Sequence, residues 1–266
     1  MGLAVCDSMA FMRYPNFDGK HANDSMIEPH NYVEYKKTHG DFPTFAPPNG
    51  VILCYKRSLL THIKKNHQVT SCDGFLSKLL FLNETDKTIA VMGGFGIGAP
   101  VASIIMEELI AFGVKEFISI GTAGTLQKDI HIGDLIVCDK AIRDEGTSHH
   151  YLRPGKFTHP SRRLTRRLTE ALTGLGKDFR LGTTWTIDAP YRETIAEARH
   201  YRQEGVATVD MEAAALFAVA KFRSVDIASA FTVTDSLADL KWHPEFHSPK
   251  AKDGLEIIYR AAVAAL

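Results

Sequence analysis

The sequence predicts an α/β fold, a single domain whose mainly parallel sheet is covered by helices, and two observations carry that expectation. From Val51 onward, short apolar runs alternate with longer stretches of helical period, the pattern of a buried strand followed by a covering helix. The 266 residues, 45% of them hydrophobic and 23% charged, suffice for one substantial core near the upper size of a single α/β domain and leave too little for a second.

In chain order, the apolar runs place strands at 51–55 (VILCY), 88–93 (TIAVMG), 116–121 (EFISIG), 134–142 (DLIVCDKAI), 181–187 (LGTTWTI), 206–210 (VATVD) and 226–234 (DIASAFTVT). Helical period places helices at 58–67, 99–113, 161–173, 193–204, 211–223 and 249–265. In the third of these, Leu164, Leu168 and Leu172 form one stripe, and the arginines around it read as a solvated face. Residues 1–49 scatter Pro, His, Asn and Tyr among charges with no sustained period, so they read as an extension ahead of the domain at 50–266. The extension is either a disordered arm or a segment that packs its aromatics on the body or on a neighbouring subunit.

Bulk charge and cysteine usage exclude several function classes. Lys plus Arg and Asp plus Glu both total 31, so nothing at the whole-chain level advertises a nucleic-acid surface. Cys6, Cys54, Cys72 and Cys138 are widely scattered with no CxxC pair, which argues against a zinc knuckle or disulfide framework and for a reducing compartment. No apolar run reaches membrane-spanning length and the start has no signal-peptide pattern, so a cytoplasmic protein without a membrane partner is expected. His149 and His150 are adjacent and point apart, with no carboxylate at ligand spacing, so no metal site is expected.

Four segments could carry chemistry. Gly93-Gly94-Phe95-Gly96-Ile97-Gly98-Ala99-Pro100 joins a strand to a helix start, where glycines let backbone approach a ligand and free N–H groups await an anion or hydroxyl; it serves equally as a tight turn, and its spacing is not GxGxxG. A second glycine-rich strand end, Ser119-Ile120-Gly121-Thr122-Ala123-Gly124, lies where open α/β sheets bind ligands. In Thr208-Val209-Asp210-Met211-Glu212, Asp210 suits an N-cap and Glu212 the helix dipole, while a carboxylate there also suits a pair of sugar hydroxyls. Thr232-Val233-Thr234-Asp235-Ser236 ends a strand on an acid, either a cap for the next turn or a partly buried group with a raised pKa.

Taken together, these segments resemble the nucleoside phosphorylase family, which includes hexameric purine nucleoside phosphorylases, uridine phosphorylases and related nucleosidases. The likeness runs from about Gly50 to the C-terminus: GFGIGAP at 94–100 is similar to the family's GxGxGxP-type loop, FISIGTAGTLQKDIHIGDLIV at 117–137 to its central strand and IGD stretch, VDMEAAALFAVA at 209–220 to its V-E-M-E-A helix start, and TVTDSLAD at 232–239 to the purine-type S-D segment. The resemblance implies a three-layer fold with a partly barrel-like mixed sheet. It also implies a pentosyltransferase that cleaves a nucleoside, purine-leaning with uridine still open, by phosphate to free base and ribose 1-phosphate. A hydrolytic nucleosidase and a silent nucleoside-binding protein are the alternatives.

Carried over residue by residue, the resemblance implies that Asp235 is the general acid, that Met211, Glu212 and Ile97 hold the ribose, and that Gly121 and Thr122 bind phosphate, Thr122 contacting either phosphate or the sugar. No cofactor is implied beyond phosphate as co-substrate, and a homo-oligomer, dimer or hexamer, is expected. Several positions depart from the pattern. Ser119 stands where phosphorylases carry an arginine, and VILCYKRSLL replaces the G-D-P-x-R loop, so Arg57 and Arg143 are the candidate replacement anion ligands. Trp185-Thr186-Ile187-Asp188-Ala189-Pro190-Tyr191-Arg192 resembles the base loop with Pro190 in place of its stacking aromatic, so Trp185 or Tyr191 becomes the base platform, with Arg192 and Asp210 alongside.

Overall fold

The computed structural model describes residues 14–17, 19–43 and 45–266; Cys6 lies outside them. The chain folds as α1 (Pro29–Thr38), β1 (Gly50–Cys54), α2 (Arg57–Asn66), β2 (Val69–Cys72), β3 (Leu79–Leu82), β4 (Ile89–Gly93), α3 (Ala99–Phe112), β5 (Glu116–Thr125), β6 (Leu135–Asp144), α4 (Ser148–Tyr151), β7 (Phe157–Thr158), α5 (Arg162–Gly174), β8 (Arg180–Ile187), α6 (Ile195–Gln203), β9 (Thr208–Asp210), α7 (Ala213–Arg223), β10 (Asp226–Ser236), β11 (His243–Pro244) and α8 (Pro249–Ala265).

One mixed sheet runs β11-β10-β6-β8-β9-β5-β1-β4-β3-β2, and β10 pairs a second time with β5. That extra pairing closes β5, β9, β8, β6 and β10 into a barrel and leaves β1, β4, β3 and β2 as a wing. The α/β expectation holds, including its barrel-like part.

Alternation along the strands builds the three layers. Val51 and Leu53 of β1 pack into one core with residues of α3 and α7, while Ile52 and Cys54 face the other, with α2, α5 and α8. A strand's period of two sends successive side chains to opposite faces, so a continuous apolar run marks a strand covered on both sides. Leu164, Leu168 and Leu172 are buried in the second core, as their stripe requires.

The hairpin of β2 and β3 is not among the expected strands; Val69–Cys72 carries a polar centre and shows no apolar run of its own. Part of the extension is ordered on the chain's own body. Its helix α1 lies against α3, with Glu28 bonded to Arg223, which also holds Glu107, and Lys36 bonded to Glu108. Among the described residues no helix is long and apolar enough to cross a membrane.

Candidate active site

The sheet splits at the second glycine-rich junction. β1 accompanies β5 only as far as Cys54 opposite Ile120, and β9 takes over that edge at Gly124 opposite Val209. Among the described residues no strand covers Gly121, Thr122 and Ala123 on that side, while β10 runs beside them on the other. Such a divergence at the carboxyl ends of parallel strands opens a crevice suited to a ligand.

Tyr55, just past β1, lies over this gap. A Cβ at Gly121 would sit 3.3 Å from its ring, so glycine permits the approach. Its hydroxyl and that of Ser119 are 3.0 Å apart. Burial pushes the Tyr55 phenol well above its ordinary value, and the charge of Glu212 adds to the effect, which brings Glu212 into the same neighbourhood.

Glu212 is buried and joins two of the four motifs. Its Oε1 accepts the backbone N–H of Gly98 at 2.6 Å, and Gly98, with φ of 105°, has the conformation that aims this N–H before α3 begins. Burial first, then the charge of Asp210, pushes the Glu212 carboxyl up to about 8. Met211 beside it is half-buried and Thr122 likewise, whereas Ile97 is 63% exposed on the glycine loop.

Asp235 does not follow the strand's end, as 226–234 would have it, but lies inside β10 after an irregularity: Val233 pairs with Ala123 and Asp235 with Gly124, leaving Thr234 as the extra residue. Such a bulge re-aims the side chain that follows it. A Cβ at Gly124 would come within 2.8 Å of the Asp235 carboxylate and 3.1 Å of Val209, so Asp235 and the strand leading to Glu212 flank one glycine. Asp235 accepts from the Thr234 hydroxyl at 3.0 Å and the Trp242 indole at 3.1 Å. Burial raises its pKa against the pull of those donors and of Lys56. Glu193, before α6, is pushed up to about 7, first by burial and then by the charges of Asp235 and Glu197.

Three expected ligands are otherwise employed. Trp185 is fully buried, packed on Tyr201 with ring centroids 4.8 Å apart and donating to Asp144 at 2.8 Å, so it offers no face to a base. Asp210 holds the hydroxyls of Thr184 and Thr186 on one oxygen and the N–H groups of Glu212 and Ala213 on the other. Its carboxylate is saturated by the start of α7, the capping role, and has no capacity left for a base. Arg143 is buried, and its guanidinium donates to Ser148 and to the carbonyls of Arg153 and Leu152, so it braces its own loop instead of awaiting an anion. Arg57, Tyr191 and Arg192 are exposed, Tyr191 at 99%, and none of them bonds to Glu212 or Asp235. His149 and His150 bond to the Arg143 carbonyl and the Tyr14 hydroxyl.

Tyr55, Lys56, Glu193 and Trp242 are the neighbours that pattern reading missed. Tyr55 ends a predicted strand and Lys56 directly follows it, positions that could have flagged them; nothing in the sequence around Glu193 or Trp242 signals their meeting with Asp235.

Residues 62–264 match the model of the phosphorylase superfamily. A guanosine phosphorylase from Halorubrum lacusprofundi is 32% identical over 153 residues, 58% of this chain and 62% of that protein. A DeoD-type purine nucleoside phosphorylase from Bacillus cytotoxicus is 34% identical over 154 residues, 57% of this chain and 65% of that protein, so the alignments span just under two thirds of these relatives. In fold, the chain superposes on a purine nucleoside phosphorylase from Toxoplasma gondii, solved in complex with immucillin-H, with a TM-score of 0.71 and 23% identity over 82% of this chain and 90% of that one. With residues 62–264, about three quarters of the sequence, matching that model, the chain belongs to the phosphorylase superfamily.

Proposed function

We propose that the protein is a nucleoside phosphorylase, a pentosyltransferase that uses phosphate to cleave the N-glycosidic bond of a purine nucleoside, releasing free base and ribose 1-phosphate. The observation that carries the reading is the flanking of Gly124 by two buried strands, one bearing Asp235 and the other leading to Glu212, beside the uncovered edge at Gly121–Ala123. In this reading Glu212 keeps one oxygen on Gly98 and offers the other to the 2′- and 3′-hydroxyls, with Met211 against the sugar. Asp235 gives its proton to the base nitrogen as the C–N electron pair leaves with the base, and a phosphate oxygen bonds to the sugar carbon. A raised pKa on a buried acid is the property such a donor needs. Phosphate rests on Gly121 and Thr122, with Lys56 or Arg57 as the cation.

The names of the sequence relatives support phosphorolysis and a purine. The protein is further proposed to be a cytoplasmic homo-oligomer, a dimer or hexamer, in which a neighbouring subunit brings base-loop residues such as Tyr191 out of solvent.

One observation favours hydrolysis: the Ser119 hydroxyl faces Tyr55 and Arg143 is bound into its own loop, so neither supplies a positive phosphate ligand. A panel of nucleosides incubated with and without phosphate, with base and sugar products separated, decides between them. Ribose 1-phosphate formed only with phosphate supports the proposal. Free ribose in phosphate-free buffer rejects it, and tight binding without cleavage would mean a binding protein.

A further inference from the structure

The segment after β10 turns back on itself. At its tip Leu240 takes a positive φ of 64°, and β11 returns antiparallel, with Pro244 opposite Asp235 and His243 opposite Ser236. The return places Trp242 beside the acid, its indole N–H donating to Asp235 Oδ2 at 3.1 Å. The segment is held at its far end too, where Phe246 lies 6.0 Å from the Trp242 ring and 5.1 Å from the Lys56 ammonium. Packing does not account for Trp242. Its side chain is 60% exposed, yet its one polar atom is committed to a buried carboxylate instead of water. An indole serving as an apolar anchor would bury its ring.

The groups facing Asp235 are Lys56 from the start of α2, Glu193 from the loop before α6, Thr234 on its own strand, and Trp242. The Thr234 hydroxyl can rotate between donating and accepting; the indole N–H can only donate. The two oxygens of Asp235 are therefore unequal, since Oδ2 must remain an acceptor while Oδ1 can carry a proton.

We propose that Trp242 is a positioning residue for the cleavage: its N–H holds Oδ2 so that the proton rides on and departs from Oδ1, and it then supports the carboxylate left behind. This inference rests on Asp235 being the proton donor. The proton passes from Oδ1 to the base nitrogen as that atom receives the glycosidic electron pair, and no further reactant is needed beyond the phosphate that takes the sugar.

The test is Trp242→Phe in the full chain, which keeps an aromatic ring and removes the N–H. Expected are a fall in kcat of about tenfold with the nucleoside KM within about twofold, and an alkaline limb of the pH profile moved to higher pH, because losing a donor to the carboxylate makes the acid hold its proton longer. An unchanged kcat and an unmoved limb would overturn the proposal. Should that variant fail to fold, the two tryptophans of the chain give two indole N–H signals by NMR. One signal should titrate with Asp235 in the natural protein and lose that titration in Asp235→Asn; a pair of flat signals overturns the proposal without touching the donor assignment. Full turnover by Asp235→Asn overturns the donor assignment itself, and the inference with it.

Discussion

Glu212 accepts the N–H of Gly98 across 114 positions of sequence, and that bond holds the glycine loop before α3 against the start of α7. The carboxyl is buried where its charged form is disfavoured, so the folded chain retains a proton that the unfolded chain releases near the ordinary carboxylate value.

Stability should therefore fall with rising pH. With the folded group at about 8 against an ordinary carboxyl value of 4.5, its contribution is complete below the lower value and is lost as pH rises through the upper one. Glu193, at about 7, has the same sign over a narrower window. Thermal midpoints measured between pH about 5 and about 9 should decline, and Glu212→Gln should flatten the decline. A slope unchanged in that variant would place the proton elsewhere. Because the same residue is proposed to grip the sugar, Glu212→Gln should also raise the nucleoside KM.

Asp235→Asn tests the acid. General acid catalysis contributes roughly 10²–10⁴-fold, so purine release should slow by about that factor while the thermal midpoint stays close to that of the natural protein. Turnover within about twofold of the natural protein would exclude Asp235 as the donor.

Asp210→Ala should act on stability. It strips four hydrogen bonds from a fully buried cluster and leaves the amides of Glu212 and Ala213 without their acceptor, a loss of about 2–4 kcal/mol in denaturant unfolding. A variant as stable as the natural protein but unable to bind base would restore Asp210 to the ligand set.

Arg143 and Lys56 separate brace from ligand. Arg143→Met should cost about 2–4 kcal/mol by orphaning the loop carbonyls it serves, with the phosphate KM of the folded fraction unchanged. Lys56→Ala should leave stability nearly intact and raise the phosphate KM about tenfold. The reverse pattern would return Arg143 to the phosphate site.

Much of this was legible because its causes are local. The seven predicted strands all form, each starting within about two residues of its expected start, since a run that must be apolar on both faces looks the same wherever the sheet later places it. In the hairpin, β2 escaped because Thr70 and Ser71 are exposed on an edge and show no apolar run, whereas β3, Leu79–Leu82, is a short buried apolar run that the pattern reading passed over. The bulge at Thr234 escaped because it depends on the register of β10 against β5, which no window of β10 contains. Trp185 misled because a tryptophan in a base-loop position reads as a platform until the packing of Tyr201 and α6 over it is known.

The order of apolar runs and the glycine junctions determined the α/β layering, because period and backbone freedom are properties of neighbouring residues, while Glu212 and Asp235 were singled out by the resemblance of the two acidic motifs. Only the tertiary structure decided that Asp210 and Arg143 are spent on internal hydrogen bonds, that β10 and β5 are the strands that close the expected barrel, and that Trp242 meets Asp235. Each of those depends on which donors and acceptors become neighbours once distant strands pair, and a buried polar group is committed to whatever partner the fold brings within about 3 Å.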